Sequence, residues 1–222
     1  MIFASDNWSG VHPAITASLA ANADGMASAY GSSDLDKAVE ARFNEIFERE
    51  VAVFFVGTGT AANSLSFAAV NRPGGVVLCH REAHVIEDEC GAPEFFTHGA
   101  RMAPVDGAGG MIDAYNLKRE LARFRPDFIH AGQPMAISIS QPSEAGTIYP
   151  LAEIETIGRI AHEHGLSLHM DGARLPNALA ATGATPAEMT WKLGVDILSF
   201  GATKNGCWCA EAVVFFDPDH AR

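Results

Sequence analysis

Basic residues are in short supply: 15 lysines and arginines stand against 27 aspartates and glutamates, a net charge of -12. Such a chain does not favour nonspecific binding to nucleic acid or anionic membranes, which depends on neutralising phosphate. Any anionic ligand must then be held by local donors, against the overall field. Cysteine is equally scarce. Cys79, Cys90, Cys207 and Cys209 are too few and too irregular for a disulfide framework in 222 residues, and Cys207-Trp208-Cys209 is not a redox CxxC pair. Reduced, mostly buried thiols are expected. No apolar run approaches the roughly 18 residues of a membrane span. The start, Met1-Ile2-Phe3-Ala4-Ser5-Asp6, has no basic flank and no long apolar stretch, so the expected location is the cytoplasm. No internal repeat, low-complexity tract or linker is visible.

Apolar residues make up 48% of the chain and mean hydropathy is +0.07, the composition of a globular protein with a large core. Strand-like and helix-like segments alternate. Ser33 can cap a helix reaching about residue 50, with Leu35, Val39, Phe43, Ile46 and Phe47 on one face. Further helices are expected over 61–70, 84–90, 114–124 behind an Asp113 cap, and 150–164. Apolar strands are expected over 51–56, 75–79, 128–131, 136–139, 166–170, 195–200 and 212–216. Near-continuous apolar strands between helices predict an α/β fold: a mostly parallel central sheet with helices on both faces.

Lysine is nearly absent: Lys37, Lys118, Lys192 and Lys204 are the only four. The first two lie on polar faces of helical patterns, and Lys192 precedes a Gly-Val turn. Lys204 closes the run Ser199-Phe200-Gly201-Ala202-Thr203-Lys204, at the mouth of a buried strand, where an amine can be desolvated and nucleophilic. A lysine alone in such a place is most often an ordinary surface residue. About 30 residues upstream, one strand-plus-helix unit away, stands His169-Met170-Asp171-Gly172-Ala173-Arg174. A lysine for a Schiff base and an aspartate for a pyridinium nitrogen, on successive strand ends, point to pyridoxal phosphate (PLP). The plainer role for Asp171 is a helix N-cap. Arg174 can return to the same mouth and donate to a phenolate or carboxylate.

Gly57-Thr58-Gly59-Thr60 turns a strand into a helix whose free N–H groups suit a phosphate. The same letters fit G-x-G-x-x-A, but the acidic residue a dinucleotide fold needs at the next strand end is not there. In the company of Lys204 and Asp171 the single-phosphate role wins. The run from Cys79 to Cys90 is dense in metal-ligand types, yet His80 closes a strand, so His80 and His84 do not share a helical face and no metal is expected. A solvated helix start is the plain alternative, and a third is His84 stacked on a flat cofactor ring. His162 and His164, near a helix C-terminus, are expected to be structural.

These segments, with Ser5-Asp6-Asn7, Tyr30-Gly31, Gly59-Thr60-x-x-Asn63, Ala83-His84, Gly146-Thr147-Ile148-Tyr149-Pro150 and Asp171-Gly172-Ala173-Arg174-Leu175-x-Asn177, run through the chain in one order. In that order the chain resembles the threonine aldolases of the β-eliminating lyase group, fold type I PLP enzymes. The resemblance implies that Lys204 forms the Schiff base, Asp171 partners the pyridinium, and Thr58, Gly59 and Thr60 hold the phosphate. It implies that His84 stacks on the ring, and that Arg174 and Ser5 contact substrate carboxylate or ring oxygen. It implies cleavage of a β-hydroxy-α-amino acid such as threonine, allo-threonine or phenylserine to glycine and an aldehyde. β-Elimination, racemisation and a PLP-binding scaffold without turnover are the rivals. It also implies a homodimer or homotetramer, and residues 1–222 as a PLP-binding large domain that stops before a small C-terminal domain. Where many members carry a second histidine ahead of the G-x-x-x-P segment, this chain reads Ser140-Gln141-Pro142-Ser143-Glu144, so the base is left open.

Overall fold

The computed structural model describes residues 4–125 and 127–221. Its helices are α1 (Pro13–Ala21), α2 (Asp34–Phe47), α3 (Gly59–Ala69), α4 (His84–Glu87), α5 (Ala92–Phe96), α6 (Ala114–Leu121), α7 (Leu151–Glu163), α8 (Leu175–Thr182) and α9 (Pro186–Met189). Its strands are β1 (Ala52–Val56), β2 (Gly75–His80), β3 (Arg101–Val105), β4 (Gln133–Ser140), β5 (Ser167–Gly172), β6 (Ile197–Gly201) and β7 (Glu211–Phe215). They form one sheet in the order β1-β7-β6-β5-β4-β2-β3. β6, β5, β4, β2 and β3 are parallel, while β7 runs antiparallel to both its neighbours, β1 and β6. The expected mostly parallel α/β sheet is therefore present.

The two-residue period of a strand sorts side chains between two helical layers. Leu168 and Met170 of β5 and Leu198 of β6 join the main core with Ile154, Ile157 and Ile160 of α7 and Leu117 of α6. His169 and Asp171 point the other way, toward α3: Phe67 meets the His169 ring edge-on at 4.8 Å, and Asn63 reaches Asp171. Complete burial pushes His169 down to about 4, so it is neutral, and its two nitrogens bond Ser138 and Ser199 at 2.9 Å each.

Several expectations shift. Residues 128–131 are not a strand: Ile129–Ala131 is a 3-10 turn, and β4 begins only after Gly132, whose φ of 89° redirects the chain. The helix capped by Ser33 stops at Phe47, where Glu48 is left-handed, and the segment after His84 is a single turn. β3 is a strand with no sequence signal. It lies at the sheet edge, where Pro104 is tolerated because no further strand needs its N–H. All four cysteines are free, but only Cys79 is buried, since Cys90, Cys207 and Cys209 lie in turns and loops outside the sheet. No helix among the described residues is long and apolar enough to cross a membrane.

Candidate active site

The C-terminal ends of β4, β5 and β6 open on the same side as the end of β1, because Val56 and Gly201 both pair with Glu211 at the start of β7. A cleft of about 290 Å³ sits there, a size near the lower end for small-molecule sites. Thr58, Gly59, Thr60, His84, Asp171, Arg174 and Lys204 all line it. Ser5 does not. Its hydroxyl accepts the Asn7 N–H at 3.2 Å and caps the turn Asp6–Trp8, and from that segment Asn7 lines the cleft.

Each side chain is placed by a local device. Thr58 caps α3 by accepting the Ala61 N–H at 3.1 Å, which leaves the N–H groups of Gly59 and Thr60 without intrahelical partners at the positive end of the helix. A Cβ added at Gly57 or Gly59 would meet nothing within 4 Å, so the turn opens on free space. Asp171 divides its carboxylate. Oδ1 accepts the Ala173 N–H at 3.0 Å, the turn-holding role, while Oδ2 accepts from Asn63 Nδ2 at 3.0 Å. Asp171 is thus a turn acceptor rather than the expected helix N-cap, a position Arg174 takes, and its two contacts fall on separate oxygens. A Cβ at Gly201 would come within 2.5 Å of the Ala173 carbonyl, so only glycine lets the Lys204 loop approach the Asp171 loop this closely.

Lys204 sits in the 3-10 turn Thr203–Asn205, framed on both sides. The buried Glu211 accepts the Ala202 N–H at 3.0 Å and the Thr203 N–H at 3.4 Å, and Asn205 Nδ2 donates to the carbonyls of Gly201 and Ala173. Arg174 is engaged by Asp6, with Nη2 to Oδ1 at 3.1 Å, and that guanidinium holds the Asp6 carboxyl below its ordinary value. His84 opens α4. Its backbone N–H donates to Glu144 at 2.9 Å, and its ring Nδ1 lies 3.0 Å from Glu89. His80 closes β2 instead, its ring bonded to the Gly107 carbonyl and the Glu82 N–H, so the two histidines do not converge. His162 pairs with Asp196 at 3.0 Å, a structural link between α7 and the turn before β6. Among the described residues no cluster of three or more metal-ligating side chains is placed to hold a metal.

Asn63, Glu89, Glu144 and Glu211 carry no role in the sequence reading. Asn63 had the clearest signal, one helical turn beyond Thr60 on the same face of α3.

Lysine, aspartate and an open helix start at the carboxyl ends of a mostly parallel sheet define the class of a fold type I PLP protein. The chain belongs to the β-eliminating lyase family, whose model matches residues 3–222, and enzymes of that family are PLP-dependent. It is 43% identical over 215 residues to a low-specificity L-threonine aldolase of Pseudomonas sp., covering 97% of this chain and 62% of that protein. A threonine aldolase of Leishmania major superposes with a TM-score of 0.88 at 29% identity, over 98% of this chain and 63% of that one. An alanine racemase of Cochliobolus carbonum is 33% identical over 168 residues, 75% of this chain and 41% of that protein. The chain thus spans less than two thirds of the length of the relatives it matches.

Proposed function

We propose that these 222 residues form the cofactor-binding large domain of a PLP-dependent aldolase that cleaves L-threonine-like β-hydroxy-α-amino acids to glycine and an aldehyde. The observation that carries this is the convergence of Lys204, Asp171 and the Gly59-Thr60 helix start in one cleft. PLP, when bound, supplies an electron sink for the carbanion left by Cα–Cβ cleavage. The residues present fit it. The Gly59 and Thr60 N–H groups would hold the phosphate, with Thr58 holding that turn. Asp171 Oδ2 would face the pyridine nitrogen and favour its protonated form. Lys204 would supply the amine for the cofactor carbonyl. His84 would lie against the ring, and Arg174 would take the substrate carboxylate or ring oxygen. The residues around the cleft would choose the bond to be broken by how they orient the substrate.

The same proposal places the protein in the cytoplasm as a homodimer or homotetramer. Trp8, Leu19, Met26 and Tyr30 are exposed along the N-terminal segment, and α1 buries no residue against the chain's own core, which suits contact with a second copy. The test is incubation of purified protein and PLP with L-threonine and with phenylserine. Glycine with acetaldehyde or benzaldehyde is the expected outcome, and substrate returned intact counts against it. The alanine racemase relative favours a second reaction on the same scaffold, so L-alanine belongs in the assay. Formation of D-alanine without glycine release from threonine would replace the aldolase by a racemase.

A further inference from the structure

Five residues beyond His84 lies a carboxylate for which the aldolase proposal has no task. The Glu89 side chain is 0% exposed, and burying an unpaired anion costs several kcal/mol, so its partners decide its state. Oε1 accepts from Asn63 Nδ2 at 2.8 Å and lies 3.0 Å from His84 Nδ1, while Oε2 has no partner among the described residues. The Asn63 amide has one sensible orientation. Its nitrogen faces both Glu89 and Asp171, and reversal would aim its carbonyl at two carboxylates.

We infer that Glu89 is a positioning residue for His84: it accepts the Nδ1 proton, leaves Nε2 as the ring nitrogen available to the cleft, and is tied through Asn63 to Asp171. An ionised carboxylate can only accept, so the shared proton belongs to Nδ1. The ring is then fixed in both orientation and tautomer, as a group that covers a flat cofactor or exchanges a proton at Nε2 needs to be. Its electrostatic surroundings agree. The Glu89 hydrogen bond and charge, with Asp171, raise the proton affinity of His84, and burial and Lys204 oppose them. Glu144 holds the backbone N–H of the same residue. The net direction is upward, so His84 stabilises the fold fully below its unfolded value of about 6.5. That contribution is lost as pH rises through the higher folded value.

The catalytic consequence rests on the aldolase proposal, but the tautomer does not, and the two are separated by measuring His84 without cofactor. The 222-residue protein, labelled with 15N-histidine, gives long-range proton–nitrogen correlations, with His84 assigned by its loss in His84→Gln. Neutral His84 is expected to carry its proton on Nδ1 and to titrate above ordinary histidine. Glu89→Gln keeps the volume and removes the charge, and should lower the His84 pKa by about one unit, a tenfold loss of proton affinity. An Nε2–H tautomer in the wild type, or an unmoved pKa in a folded Glu89→Gln, overturns the assignment. If Glu89→Gln does not fold, the wild-type tautomer alone decides. Failure of the same sample to bind PLP, with the tautomer as expected, counts against the aldolase proposal and leaves the role of Glu89 standing.

Discussion

Lys204 owes its position to residues that do no chemistry themselves. Glu211 takes the N–H groups on one side of it and Asn205 fixes the other, so the amine is presented on a turn with little freedom. Lys204→Ala should abolish the borohydride-trappable PLP adduct and leave the circular dichroism spectrum unchanged. A reduced adduct retained on Lys37, Lys118 or Lys192 would defeat the assignment. Asp171 is more exposed to a competing explanation, because half of its carboxylate serves the turn at Ala173. Asparagine keeps that turn acceptor and loses the charge. Asp171→Asn is therefore expected to bind cofactor but to lose several kcal/mol of carbanion stabilisation, about a thousandfold in turnover. Near-normal turnover with an unaltered cofactor spectrum would leave Asp171 as a turn acceptor only.

Among the elements, the N-terminal arm buries none of its residues over Asp6–Trp8 or Pro13–Ala21. Among its described residues, the Asp6–Arg174 ion pair and the His12 N–H donating to the Gly206 carbonyl at 2.8 Å fasten it near the cleft. The arginine depresses the Asp6 carboxyl, so the link contributes above the unfolded value of about 3.9 and is lost as pH falls through the lower folded value. Hydrogen exchange of residues 6–12, corrected for intrinsic rate, should show protection lost in that acid window and already lost at neutral pH in Asp6→Asn. Equal protection in the two proteins at neutral pH would show that the ion pair does not hold the arm. The same contact bears on ligand binding, since Asp6 occupies the guanidinium that a substrate carboxylate would need.

At the scale of the molecule, the inner strands of the sheet, β2 and β4 to β7, are largely buried, yet large apolar side chains remain outside. Phe54 and Phe55 of β1, Leu65 of α3, Phe95 and Trp208 are exposed, in addition to the N-terminal group. Where such side chains adjoin, they offer apolar surface to a second copy. Sedimentation velocity should reveal self-association that grows with concentration over the micromolar range. A single species at the mass of one 23.5 kDa chain throughout would remove the argument for a homo-oligomer.

Local chemistry made much of this molecule legible in its sequence. The strands of 75–79, 166–170, 195–200 and 212–216 are displaced by at most two residues from those observed, because buried strands read as near-continuous apolar runs. Lys204, Asp171 and Gly59-Thr60 were readable because each follows such a run, and the ends of parallel strands share one side of a sheet. Beyond that point sequence carries no information about who faces whom. β3 is a five-residue run interrupted by Pro104, and its pairing with β2 at the sheet edge is what makes it a strand. The apolar run 128–131 looks extended, but the backbone turns at Gly132. Glu89 and Asp171 are far apart in the chain, and Asn63 joins them only because α3 packs across β6 and β7, from where its side chains reach β5. Periodicity belongs to the chain and is written in it, whereas the sharing of a proton between Glu89 and His84 depends on burial and distance, which exist only once the layers have closed.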